Sequence, residues 1–167
     1  MDEQLENVRN WFNRIYLGGI PLLMKNDTAF LSFICVLTAI EALAGYRYPE
    51  AGETALPGER FRRFIRAYFP EAYHVLADDL CGFRNGMIHG FSPRTFALTE
   101  HQSQHHLRKT PEGATVLNAE DFYASLLLAS QRYFAELEAA SDLQATFLAR
   151  IQSSQGGNIA VGPVQLI

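Results

Sequence analysis

The chain is poor in the residues that build several common kinds of site. It has two cysteines, Cys35 and Cys81, among 167 residues. Cys35 lies in an apolar run and Cys81 beside a glycine, without metal-ligand spacing, so neither a disulfide framework nor a cysteine-built metal site is expected. Lysine is nearly missing, two residues against twelve arginines. The net charge of -4 and a pI near 5.7 argue against a protein that coats nucleic acid indiscriminately. No glycine-rich phosphate loop, nucleophile elbow or zinc-protease motif occurs. The N-terminal MDEQLENVRNW is charged and has no apolar stretch, so no secretory signal is expected, and a reduced, cytoplasmic setting follows. Long apolar runs are equally scarce. The one such run, TAFLSFICVLTAIEALAGY at 28–46, carries Glu41, Ser32 and two threonines, which favours a buried central helix over a membrane span.

What is present is a core-forming composition, 48% hydrophobic and 19% charged. A chain of this length suits a single domain burying about two-thirds of its unfolded surface. Helical spacing of Leu5, Val8, Phe12, Ile15 and Tyr16 predicts a first helix over 3–17, ended by Gly18-Gly19 and Pro21. Asp27 is placed to cap a helix at about 28–45. A shorter helix over 59–69 is stopped by Pro70, and another over 71–91 ends at Gly90 and Ser92-Pro93. Thr110-Pro111-Glu112-Gly113 has type I turn chemistry between short β-prone segments and predicts a small hairpin. Asn118 with Asp121 opens a long helix over 119–140, with Phe122, Leu126, Ala129, Tyr133 and Leu137 inward. Ser141-x-x-Gln144 marks a break before a continuation to about 152. The expected fold is an all-α bundle of five or six helices with a small β-hairpin insert before the last long helix. It forms one domain over 1–152, with a C-terminal tail at 153–167.

Chemistry concentrates in LCGFRNGMIHGFSP, residues 80–93. On a helix turning about 100° per residue, Leu76, Leu80, Phe83 and Met87 make a core stripe. Asp78, Asn85 and His89 cluster opposite it, with Ala77, Cys81 and Ile88 between and Arg84 at the far edge. Arg84 stands about 140° from His89 around the axis, a gap that a long side chain can span. This second face mixes reactive with apolar residues and needs a cover, from the bundle or from another subunit.

An Arg, a polar residue, three further residues and a His near the end of a bundle helix resembles the signature of the HEPN superfamily. Its members are small α-helical bundles, many of them metal-independent endoribonucleases of toxin–antitoxin, phage-defence and RNA-processing systems. The resemblance implies that Arg84 and His89 are catalytic, that Asn85 assists, that no cofactor or metal is needed, and that RNA is the substrate. It also implies a homodimer whose two motifs face one cleft, with a cognate antitoxin or regulatory protein as a further partner and no membrane. RNA can be cut when its own 2′-OH attacks the adjacent phosphate, leaving a 2′,3′-cyclic phosphate and a 5′-OH. Imidazole exchanges a proton near neutral pH, guanidinium grips the phosphate in a charge-assisted fork, and an amide donates to a phosphate oxygen.

The same residues have a structural reading. Arg84 can pair with Glu41, the only charge between Asp27 and Arg47, and His89 can cap a helix C-terminus. Pairing does not exclude catalysis, because a carboxylate can also aim the arginine; Glu41 and Asp78 are the supporting carboxylates expected. The corresponding functional alternative is a noncatalytic nucleotide-binding or protein-interaction module of the same fold. Arg60, Arg62, Arg63 and Arg66, interleaved with Phe61, Phe64 and Phe69, form a basic helix that is either a solvated face or an RNA-backbone patch. Arg94 can join either. His101 and His105 are four apart, but no cysteine or acidic pair completes a metal set.

Overall fold

The computed structural model describes residues 3–25, 28–48 and 56–153. The chain runs through α1 (Glu3–Phe12), a π-helical turn (Asn13–Leu17), the short α2 (Ile20–Leu23), α3 (Ala29–Arg47) and α4 (Pro57–Tyr68). A 3-10 segment (Glu71–Leu76) leads into α5 (Ala77–Gly90), followed by β1 (Phe96–Thr99), β2 (Thr115–Asn118), α6 (Ala119–Ala139) and α7 (Ser141–Ser153). The architecture is an all-α bundle with a small β insert. Asp27 and the tail beyond Ser153 lie outside the described residues.

The apolar helix α3 is the centre, packed by α2, α4, α5, α6 and α7. By length and hydropathy it is also the one described helix that could cross a membrane, and half of that window is buried in the bundle. Its Phe33, Val36, Leu37 and Ile40 are closed off, as are Phe61, Phe64 and Ile65 of α4. On α5, Leu80, Phe83 and Met87 point inward, and Phe83 packs on Phe33 and Phe96 (6.3 and 5.2 Å between ring centres). Phe122, Leu126, Ala129, Tyr133 and Leu137 of α6 are all fully buried, as their spacing predicts.

Local departures have physical causes. The π turn adds residues per turn and rotates the face it follows, so Ile15, expected inward, is 40% exposed. Pro21 opens the short α2 instead of only ending the preceding helix, a position where its missing N–H costs nothing. Asn118 stands at the start of α6, but its Oδ1 accepts from the Gln102 N–H (3.0 Å) and not from the helix's own first N–H groups, while its Nδ2 donates to Glu120 and Asp121 (2.9 and 2.6 Å). Gln144 lies past the break at Ala140 and donates to the last carbonyls of α6, Leu137 and Glu138 (3.0 and 3.2 Å). It closes the preceding helix.

The insert contains the expected turn, with Gly113 N–H bonded to Thr110 O (2.9 Å) and Gly113 at φ +89°, where a side chain would be strained. Its arms are 107–110 and 114–116, joined by Leu107 N–H to Val116 O and Val116 N–H to Arg108 O (both 2.8 Å). The FALT segment takes no part in this hairpin. It pairs parallel to β2, Phe96 opposite Thr115 and Thr99 opposite Asn118, so β2 is bonded along both edges. A parallel pair needs a long crossover, which residues 100–114 supply.

A histidine fastens this insert to the bundle. His106 Nδ1 accepts from the Asn118 N–H (3.0 Å), while its Nε2 lies 2.8 Å from the Tyr73 hydroxyl, itself 3.0 Å from Ser125 Oγ. Burial lowers the His106 pKa below the ordinary histidine value, opposed by Asp121. The unfolded chain therefore binds this proton more readily than the folded one. Stability contributed by neutral His106 is complete above about pH 6.5 and is lost as pH falls through the window below it. Thermal unfolding followed from about pH 7.5 to 5 should show a steeper fall in Tm for the wild type than for His106→Gln. Parallel curves would contradict the assignment.

Candidate functional site

The site forms where α5 crosses α3. Arg84 follows the buried Phe83 directly, so its side chain leaves the core edge and runs along the α3 surface, only 12% exposed. There Arg84 Nη1 donates to Glu41 Oε2, and the guanidinium stands over the Phe61 ring at 5.4 Å. Glu41 is itself two-thirds covered, so the pair neutralises a carboxylate that α3 would otherwise carry unpaired into the bundle.

Arg84 is held from a second side by its neighbour. Its Nε and Nη2 donate to Asn85 Oδ1 (3.2 and 2.8 Å). Three of the five N–H groups are thereby used, leaving one on each terminal nitrogen. Because Asn85 Oδ1 faces Arg84, the amide nitrogen of this exposed residue is turned away with both hydrogens available. One turn on, His89 is exposed, and its ring has no hydrogen-bond partner among the described residues.

These side chains line one cleft of about 280 Å³ with Thr38, Glu41 and Ile88. The 140° between Arg84 and His89 on a bare helix is closed because α3 supplies the opposite wall. Thr38 is an addition to the sequence reading, which had already set Ile88 on the mixed face. Thr38 had a signal: it precedes Glu41 by three positions, on the same face of an otherwise apolar helix. Ile88 is 55% exposed at the cleft, and Leu31 of α3 and Phe91 at the end of α5 are further exposed apolar residues, 44% and 71%. Leu31, Cys35 and Thr38 share one face of α3.

α5 ends at Gly90, where the sequence marks its end, but glycine does not supply its cap. Gly90 remains helical and Phe91 takes the left-handed conformation, φ +50°, that glycine usually supplies. Such a conformation costs an ordinary residue about 1–2 kcal/mol. Contact of the Phe91 ring with Phe30, 4.7 Å between centres, offsets part of that cost and fixes the chain's exit beside His89.

The other anticipated residues are placed elsewhere. Asp78 lies eleven positions before His89, about three turns along the axis, and is not in the cleft. Its carboxylate pairs with Arg62 (2.6 Å) and Arg66 (3.0 Å) of α4. Arg63 covers the Tyr48 ring at 4.2 Å. Phe61, Phe64 and Phe69 are buried and offer no stacking surface, so α4 combines a neutralised arginine face with a core face. Arg94 lies over α5 itself. His101 pairs with Glu120 (2.6 Å) and His105 is exposed. Among the described residues, no group of three His, Cys, Asp or Glu side chains could hold a metal ion.

Compared with family models, curated proteins and solved structures, the chain matches none.

Proposed function

We propose that the chain is a metal-independent endoribonuclease, resembling the HEPN superfamily, with Arg84, Asn85 and His89 as its site. The observation that carries this reading is their convergence in one open cleft, with the guanidinium aimed by Glu41 and Asn85 and the imidazole unencumbered. In the proposed reaction the 2′-OH loses its proton to a base, and its oxygen attacks the adjacent phosphorus. The bond to the 5′-oxygen breaks as that oxygen takes a proton from an acid. The products are a 2′,3′-cyclic phosphate and a 5′-OH. His89 serves one of the two proton transfers. The two unused Arg84 N–H groups and the Asn85 amide bind the phosphate as negative charge builds on it.

In-line displacement needs an acid and a base on opposite sides, and each chain supplies one His89. A second copy, docked across the apolar surface of Leu31, Ile88 and Phe91, would bring the other. A noncatalytic nucleotide-binding module is the second reading, favoured by one observation: Glu41 already neutralises Arg84.

The 2′-OH requirement separates them. A labelled structured RNA should be cut at defined positions, and replacing the 2′-OH by hydrogen at one such position should abolish the cut there alone. Cutting that persists at the substituted position would sink the proposed reaction. Binding without any cutting would favour the module.

A further inference from the structure

The cleft as described is nearly neutral, since Arg84 is paired with Glu41. A phosphodiester entering it, and the further charge that develops during reaction, call for a cation that is not already paired. Several of the described guanidiniums are already engaged. Arg62 and Arg66 face Asp78, Arg63 covers Tyr48, and Arg47 and Arg9 pair with Glu136 and Glu138. The guanidiniums of Arg14, Arg94 and Arg108 have no ion-pair or hydrogen-bond partner among the described residues, and the exposed Arg94 is the one laid against the glycines of α5.

Its position is specific. After Phe91 the chain turns back, so that the Arg94 side chain lies across Gly82 and Gly86 of α5. A Cβ on Gly86 would strike the Ser92 carbonyl oxygen and come within 2.9 Å of Arg94 Cγ and Nε; at Gly82 it would meet Arg94 Cδ at 3.8 Å. Only a residue without a side chain leaves this passage open at 86. The backbone at Arg94 is left-handed, φ +54°, with its N–H directed to Ser92 Oγ at 3.3 Å. A charged side chain is thus laid along a helix by a strained turn and a glycine notch, with no partner among the described residues to account for it.

The notch adjoins the proposed site. His89 follows Gly86 by three positions, about 60° around the axis, and Asn85 is adjacent to it. Side chains on a helix lean toward its N-terminus, which directs the His89 side chain toward the turn that holds Asn85 and Gly86, while Arg94 lies outside the cleft lining itself. Around the α5 axis, Arg84 and the glycines that Arg94 crosses fall on opposite sides of His89, one arginine paired and the other not.

We propose that Arg94 is a substrate-positioning residue that binds an RNA backbone phosphate neighbouring the one under attack, and that it supplies the uncompensated positive charge of the site. This rests on the ribonuclease reading above. It adds a contact outside the motif and a preference for a strand passing from the α3 side of α5 to the Gly82–Gly86 side.

The test uses the full chain carrying His89→Ala and a short single-stranded RNA, 2′-O-methylated throughout so that it binds without being cut. Affinity is measured across salt concentrations, and cleavage of unmodified RNA is measured with His89 intact. Adding Arg94→Gln should weaken binding roughly tenfold and lower the salt slope by about 0.7, the value for one phosphate contact on a single strand. Arg94→Lys should restore most of the slope. Arg108→Gln, which removes an exposed charge from the insert, should change either quantity far less. With His89 intact, Arg94→Gln should raise KM more than it lowers kcat. Circular dichroism and thermal unfolding confirm that each variant is folded.

If the parent proteins bind and cleave while Arg94→Gln behaves like Arg108→Gln, the Arg94 assignment is overturned and the ribonuclease reading stands. Arg94-dependent binding without cleavage in the wild type would support the contact and reject the catalysis. Neither binding nor cleavage in the parents would overturn both.

Discussion

Replacing His89 by alanine is expected to slow RNA cleavage by about two to four orders of magnitude, the usual worth of a positioned acid or base. The fold should hardly notice. His89 is exposed near the end of α5 and has no hydrogen-bond partner among the described residues, so the stability change should stay within about 0.5 kcal/mol. Single-turnover cleavage measured beside urea unfolding checks both halves. Cleavage within a few-fold of wild type in a folded His89→Ala protein would remove the imidazole from the mechanism. If two copies share the reaction, mixing His89→Ala with excess wild type should recover less activity than the wild-type fraction alone predicts. Each hybrid dimer then carries one imidazole.

Arg84→Ala should be costly in two separable ways. Loss of a guanidinium that binds the developing charge should reduce cleavage by roughly two to three orders of magnitude. Stability should fall by about 1–3 kcal/mol, because Glu41 keeps its charge two-thirds covered without the partner it has now. Solvent reaching the remaining third sets the estimate below that for a fully buried pair. The double variant Glu41→Ala/Arg84→Ala tells the two effects apart. It removes the orphaned carboxylate, so stability should largely return, while cleavage should remain as low as in Arg84→Ala. Were Arg84 only structural, activity would return along with stability. Urea unfolding and initial cleavage rates on the same three proteins decide between them.

Much of this arrangement is legible in the sequence. Apolar periodicity marked the inward faces of α5 and α6, and a lone glutamate in the most apolar helix demanded a partner that Arg84 provides. The break at Ala140 could be read from Ser141-x-x-Gln144, although Gln144 closes the helix behind it. Other features depend on tertiary contact and left little local signal. Pairing of FALT parallel to β2 depends on a crossover over residues 100–114, which turn chemistry at Pro111 does not report. Phe91 accepts a left-handed backbone because Phe30 waits on another helix, and local preference alone pointed to Gly90. The π turn at Asn13–Leu17 slipped the face carrying Ile15. Asp78 shares a helix face with His89, but α4 presents two arginines that claim it. The passage of Arg94 over Gly82 and Gly86 left a faint trace, two glycines four apart on the motif helix, whose meaning needs the returning chain to be seen.

The most direct measurement is the end chemistry of the RNA fragments made by the wild-type protein in excess EDTA. The account predicts cleavage that survives chelation, with 2′,3′-cyclic phosphate on one fragment and a 5′-hydroxyl on the other. Cleavage abolished by EDTA, or fragments carrying a 5′-phosphate, would contradict it.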